Sequence, residues 1–286
     1  MLEFKLKNRM TFIWMLGLSS LLTLLISPTL GQQSIDLQTS RWIAVTEVAG
    51  EVYYFNTKSV HTAEVGDRLS EAGDGIRTGS NASALLAVDI GIGTIEIHEN
   101  TDLEVTSLTV TPNDGRITHL YVSHGGVTLN LRKFTNPESE LEIETPTGIS
   151  GVRGTEFGVN VQLDGTTGTA TRTGEVYVEA QAVEVNVVDG YQTLVRPGEP
   201  PIPPVPIPEE PEFTYQIGYE YEYGIRRVFL RGKSDLVNRV FVNEQEQLLD
   251  AEGRFSYEAP AIRGVGVVVT IQTPLGEETE YDIPLL

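Results

Sequence analysis

The chain has 286 residues, enough for two ordinary domains, and an apolar fraction of 40% supports packed cores without a membrane-like composition throughout. Forty acidic residues against 20 basic leave a net charge of −20, and the summed field repels nucleic acid and anionic lipid, which excludes both as partners. Cysteine is absent, and with it disulfides, thiol nucleophiles and thiolate metal sites.

The amino terminus carries an address. Lys5, Lys7 and Arg9 precede an apolar run from Met10 to Ile26, followed by Ser27-Pro-Thr-Leu-Gly31. Basic, apolar, then small and polar is the order of a signal peptide, here residues 1–31. The run also approaches the ~18 residues that begin to span a bilayer, so an uncleaved signal anchor is the alternative. In both cases the chain beyond the leader is translocated, and the expected location is the periplasm, cell envelope or exterior. The membrane is reached only through an uncleaved leader, if at all.

From Ile43 to Ile117 short strands alternate with turns. Val45–Val48, Glu51–Phe55, Val65–Leu69, Ala84–Val88, Thr94–His98 and Leu103–Val110 read as strands, with tight turns at Gly73-Asp-Gly75 and Gly79. The texture continues with a strand from Ile117 to Val122, a turn at His124-Gly125-Gly126, and another strand facing inward through Val127, Leu129 and Leu131. Gly174–Val178 and Val183–Val188 are further strands, with Asp189-Gly190 as a hairpin-type turn. Helical periodicity is absent after the leader. Turns every ten or so residues predict an all-β chain: an irregular β-roll, sandwich or solenoid-like domain.

The stretch Thr145 to Val159 organises this region. Leu141-Glu-Ile-Glu144 alternates apolar and acidic and is stopped by Pro146 and Gly148; Phe157, Val159, Val161 and Leu163 resume one face while Glu156, Asn160 and Gln162 take the other. Gly148, Gly151 and Gly154 predict backbone open only to glycine or a close approach of neighbouring chain, and Arg153 sits among them. Gly50-Glu-Val, Val65-Gly-Asp-Arg-Leu69, Asp74-Gly-Ile-Arg-Thr-Gly79, Asn100-Thr101, Gly126-Val127, Thr145-Pro146, Val152-Arg-Gly-Thr-Glu-Phe157 and Gly174-Glu-Val176 then fall in the order seen in the FecR domain. The resemblance covers residues 43–196. It implies a β-rich module of the kind whose best-known members are inner-membrane regulators, with a periplasmic region that receives a signal from a siderophore receptor and a cytoplasmic region that controls a sigma factor. Only nine residues precede the apolar run, so the module is expected without that anti-sigma part. The motif residues Asp74, Gly75, Arg77, Thr78, Gly79, Thr145, Pro146, Arg153, Gly154, Thr155 and Phe157 are expected to be structural, forming a corner.

Residues 197–212 are too rich in proline to pair in a sheet and read as a polyproline linker. At ~3.1 Å per residue it would hold two domains roughly 50 Å apart. Residues 213–286 give about five strands, including Arg239-Val-Phe-Val-Asn243 and Val265–Ile271, and resemble the small immunoglobulin-like domains of glucodextranase-B type, which implies a β-sandwich without a catalytic centre. Tyr215, Tyr219, Tyr221 and Tyr223 share one parity, so an extended strand puts their rings on one face.

His61, His98, His119 and His124 have no helical metal spacing, no nucleophile elbow or phosphate loop is present, and no catalytic residue, metal or cofactor is expected. Arg77 and Arg153 each sit in a Gly/Thr turn, where internal pairing is favoured over ligand binding; Glu144 and Glu156 are the acids within reach of Arg153. The expected function is an exported, non-enzymatic binding, scaffold or signal-relay protein, with an envelope protein or glycan as partner. The alternatives are an accessory of FecR-type envelope signalling that acts through a separate regulator, and a cryptic carbohydrate-active enzyme.

Overall fold

The computed structural model describes residues 41–223, 225–259 and 266–285, and the expected leader at residues 1–31 lies outside them. Among the described residues every regular element is a strand. In chain order the larger module supplies β1 (Ile43–Ala49), β2 (Val52–Phe55), β3 (Val60–Thr62), β4 (Arg68–Leu69), β5 (Gly75–Thr78), β6 (Ser83–Val88), β7 (Gly93–Ile97), β8 (Asp102–Val110) and β9 (Arg116–Leu131). It continues with β10 (Glu140–Glu144), β11 (Ile149–Val152), β12 (Glu156–Val161), β13 (Thr167–Thr173), β14 (Glu175–Ala180), β15 (Val183–Val188), β16 (Tyr191–Val195) and β17 (Val205–Pro206).

These strands form two layers. A front layer runs β4-β1-β6-β7-β9-β12-β13-β16-β17. A back layer runs β3-β2-β5-β8-β9-β10-β11-β14-β15, with β9 and β10 parallel and the other pairs antiparallel. The chain crosses repeatedly between the layers, and β9 belongs to both. Its first half pairs with β8 and β10, and its second half with β7 and β12. The turn expected at His124-Gly125-Gly126 is therefore a kink in one 16-residue strand that changes layer without a loop. Gly125 takes φ +102° there, and a side chain on it would overlap Thr101.

Period-2 alternation determines which side chains enter the space between the layers. Leu86, Ile95, Leu129 and Phe157 from the front and Leu103, Leu120 and Ile143 from the back are fully buried in one apolar cluster. Each such side chain contributes about 1.5–3 kcal/mol through burial. Strand β13 has no apolar alternation and was not signalled by hydropathy. One of its faces joins hydroxyls to the back layer, Thr169 to Ser150 at 3.0 Å and Thr171 to the Val187 carbonyl at 3.0 Å. On its other face Gly168 lies against Val237 of the C-terminal module.

That module contains β18 (Phe213–Glu222), β19 (Ile225–Ser234), β20 (Arg239–Val242), β21 (Gln245–Glu246), β22 (Arg254–Ala259), β23 (Gly266–Gln272) and β24 (Glu278–Pro284). Antiparallel sheets β18-β19-β22 and β21-β20-β23-β24 share a second apolar cluster that includes Val228, Leu230, Val240, Val269 and Ile271. Phe213 and Ile217 pack against it from the same side of β18 as the tyrosines, and the Tyr219 hydroxyl donates to the Leu285 carbonyl at 3.1 Å. The proline-rich stretch does not hold the modules apart. Ile202 donates to the Leu194 carbonyl at 3.0 Å, and Val205–Pro206 pairs with Tyr191–Gln192 at the front-layer edge, where a missing N–H is tolerated.

Candidate functional site at the junction of the two modules

The outward face of β12 builds the junction. Gly158 meets the chain at Pro274 so closely that any Cβ would overlap the Pro274 carbonyl oxygen. Two residues along, the Asn160 amide donates to the carbonyls of Gln272 at 3.1 Å and Val237 at 3.4 Å. Gln162 donates to the Asn238 carbonyl at 3.2 Å and to that of Leu236. Alternation assigns both side chains to the polar face of a half-buried strand; the second module covers that face and buries them.

Arg239 is the centre of this contact, with a fully buried guanidinium. Its Nε and Nη2 fork onto Glu246 at 3.1 and 2.7 Å, and Nη1 reaches the Glu99 carbonyl at 3.1 Å and Gln272 Oε1 at 3.0 Å. Nη2 also lies 3.5 Å from the Asn100 carbonyl, so the donor groups are engaged and both modules are held by one side chain. His124 Nε2 stands 3.0 Å from Glu246 Oε2. Burial works to raise the Glu246 carboxyl, but hydrogen bonds from His124 and Arg239 outweigh it and hold the group below the ordinary carboxylate range.

A cleft of 880 Å³ opens beside this contact, lined by Glu96, Glu99, Glu244, Glu278 and Glu280 together with His98 and Gln272. Burial, reinforced by the nearby Arg239 charge, pushes His98 down to about 4, so the imidazole is neutral. Its Nε2 is hydrogen-bonded to Thr128 Oγ1 at 2.9 Å. Burial also raises the Glu99 carboxyl above its ordinary value. A second opening of 480 Å³ is lined by Arg77, Asp102, His124 and Glu246 among others. The first cleft presents carboxylates from both modules, an arrangement that attracts cationic groups and repels anions.

The sequence-derived motif residues divide between this junction and the scaffold. Asp74 accepts the backbone N–H groups of Ser70 and Glu71 at 2.7 and 2.9 Å and so closes a turn. Gly75 lies under the Phe55 ring. Arg77 forks onto Asp102, the internal pair expected of it, at 2.7 Å from Nε. Thr78 donates to the His98 carbonyl at 2.5 Å, and Gly79 donates its N–H to Glu51 O at 2.8 Å. Thr145 Oγ1 caps its own turn on the Gly148 carbonyl at 3.0 Å across Pro146, and Phe157 fills the core.

Between them lies the corner where the chain leaves the back layer at β11 and enters the front layer at β12. Gly154 takes φ +109° there, and a Cβ would overlap Lys133. Thr155 is buried, and its carbonyl accepts the Leu131 N–H at 3.0 Å. Arg153 departs from expectation. It is exposed, and among the described residues no acid or carbonyl takes its guanidinium; Glu156 is held instead by Arg172 at 2.9 Å. Arg172 also reaches Glu277 of the C-terminal module at 2.9 Å.

Residues 74–191 match the family described as "FecR protein". A search of the curated proteins found no match. Among solved structures, the chain is similar to a protein from Parabacteroides distasonis described as a "putative anti-sigma factor", at 14% identity and a TM-score of 0.39, over 46% of this chain and 59% of that one. A polysaccharide lyase aligns at 9% identity and a TM-score of 0.19, over 86% of this chain and 40% of its own. Among the described residues no helix is long and apolar enough to cross a membrane. The family match from Asp74 to Tyr191 falls within the region in which the ordered motifs lie, and the chain carries a FecR-domain region there.

Proposed function

We propose that this chain is an exported, non-catalytic relay of the cell envelope, in which the acidic junction cleft receives a basic segment of a protein partner. The proposed organisation is a signal peptide or anchor over residues 1–31, a FecR-like domain over 43–196, a proline-rich linker over 197–212 and an immunoglobulin-like sandwich over 213–286. The observation that carries the reading is the convergence of Glu96, Glu99, Glu244, Glu278 and Glu280 on one cleft. Two of these come from the larger module and three from the smaller, and Arg239 fixes the modules against each other. A partner seated there touches both, so its binding is coupled to the junction. The FecR domain supports a role in envelope signalling, and the leader supports export.

Capture from envelope extract tests this. The wild-type chain is expected to retain a protein that is released by raising salt, as screening of an exposed charged contact requires. Glu278→Gln/Glu280→Gln is expected to retain at least about tenfold less, as for loss of roughly 1.4 kcal/mol of binding. Equal capture by both forms, or no protein above background, overturns the proposal. A second reading, in which the chain serves a sigma-factor pathway through a separately encoded membrane regulator, is supported by the FecR match. Recovery of such a regulator in the same capture distinguishes it.

A further inference from the structure

The outer face of the back layer carries a group of side chains that the junction does not use. Parallel pairing of β9 with β10 sets His119 directly opposite Glu142, with Glu140 and Glu144 one step away on the same face. The inward neighbours Leu120, Leu141 and Ile143 are buried, which fixes the strands and leaves these four side chains half-buried on the outside. His119 Nε2 lies 3.3 Å from Glu142 Oε2 and 3.5 Å from Glu140 Oε1, and Nδ1 lies 3.9 Å from Glu144 Oε1. Despite these short separations no hydrogen bond is aligned on Nε2, which is shielded from solvent.

Donors about 2.1 Å from an ion at tetrahedral angles stand about 3.4 Å apart, and Nε2 already stands 3.3 Å from Glu142 Oε2. His119, Glu142 and Glu144 each bring one donor atom within 4.8 Å of the others, so small side-chain rotations close the set. The Tyr177 hydroxyl, which faces these strands from β14, donates to Glu142 Oε1 and leaves Oε2 turned toward the imidazole. A ligand carboxylate held by an outer donor is the arrangement that orients metal sites.

We infer that His119, Glu142 and Glu144 bind a divalent transition-metal ion of the zinc class on the outer face of the back layer, with Tyr177 positioning Glu142. One imidazole with carboxylates suits Zn²⁺ and its neighbours, whereas Ca²⁺ selects oxygen donors alone. The donors come from adjacent strands of a packed sheet, which holds their spacing.

Calorimetric titration of the chelator-stripped, tag-free chain with ZnCl₂ tests the site. One Zn²⁺ per chain is expected, with affinity falling at least about tenfold in His119→Ala and roughly tenfold in Tyr177→Phe. CaCl₂ is expected to give no saturable binding that His119→Ala alters. Because the variants change sheet residues, the wild-type chain supplies a second measurement: Zn²⁺ should protect His119 from diethyl pyrocarbonate, read by peptide mass. Absence of stoichiometric Zn²⁺ binding, unchanged affinity in His119→Ala, or modification of His119 unaffected by Zn²⁺ overturns the assignment and leaves a diffuse acidic surface.

Discussion

The Thr145–Phe157 corner and the Arg239 junction are both crowded, and they relieve the crowding in opposite ways. At the corner the solution is subtraction: Gly154 removes a side chain where the Arg132–Lys133 backbone passes, and Phe157 then drops into the core. At the junction the solution is addition. A long cationic side chain is buried completely and spends its donors on Glu246, Gln272 and the carbonyls of Glu99 and Asn100. A corner of the first kind is specified by residues a few positions apart. A contact of the second kind exists only when segments about 140 positions apart meet, as Glu99 and Arg239 do.

The largest effect is therefore expected at the junction. Arg239→Ala leaves Glu246 buried with His124 as its remaining side-chain partner, and breaking a buried ion pair in this way costs about 3–5 kcal/mol. It should also separate the modules. Calorimetric unfolding that is one transition in the wild type is expected to become two in Arg239→Ala, with the C-terminal module melting first. Arg239→Lys should recover little, because an ammonium cannot make the planar fork onto Glu246. A single unshifted transition in Arg239→Ala would remove the distinction between the two regions, since the junction would then be an ordinary surface contact.

Next in size is the acid sensitivity that the junction confers through His98. Its folded-state value of about 4 lies below the ordinary imidazole value of 6.5, so the unfolded chain binds more protons between these limits. Stability from this group is therefore complete above pH 6.5 and is lost progressively as pH falls toward 4, by about 3 kcal/mol in all. Glu99 acts in the opposite sense, because its raised carboxyl favours the folded state when protonated. The difference between wild type and His98→Gln isolates the imidazole. Chemical denaturation from pH 7 to 4 should show the wild type losing stability faster than the variant, and parallel curves would place His98 outside the buried network.

The same contrast explains what the sequence disclosed. Leu141-Glu-Ile-Glu144 and Thr94–Ile97 are strands because one face is buried and the other wet, and period-2 alternation reports that directly. Strand β13 gave no such signal, since the space it fills is closed by threonine hydroxyls and Gly168. Asn160 and Gln162 followed the polar period of a half-buried strand, which is correct for β12 within its own layer; burial by the second module is invisible in that window. Arg239 was legible only as the head of a strand. Its one signal was an arginine sharing parity with Phe241 while Val240 and Val242 already filled the other face, which marks a strand covered on both sides. His119 and Glu142 escaped for a related reason: their parallel pairing joins segments separated by the second half of β9 and the connection over 132–139, so no spacing rule applies.

The smallest effects sharpen the corner itself, where adjacent residues should behave differently. Gly154→Ala forces a side chain into left-handed backbone and against Lys133, so a loss of at least about 1–3 kcal/mol is expected in thermal or chemical unfolding. Arg153→Ala removes an exposed side chain with no bonded partner among the described residues, and stability should stay within about 0.5 kcal/mol of wild type. The sequence motif alone predicts a marked loss for Arg153→Ala, because an arginine in a crowded turn must find hydrogen bonds. What decides between these expectations is where the guanidinium lies. Only the Arg153 backbone enters the corner, through its carbonyl, which accepts the Phe134 N–H at 3.0 Å, while its side chain turns outward. A large destabilisation in Arg153→Ala would show that the side chain is bound in solution; an unchanged melting temperature leaves Gly154, not Arg153, as the residue that makes the corner.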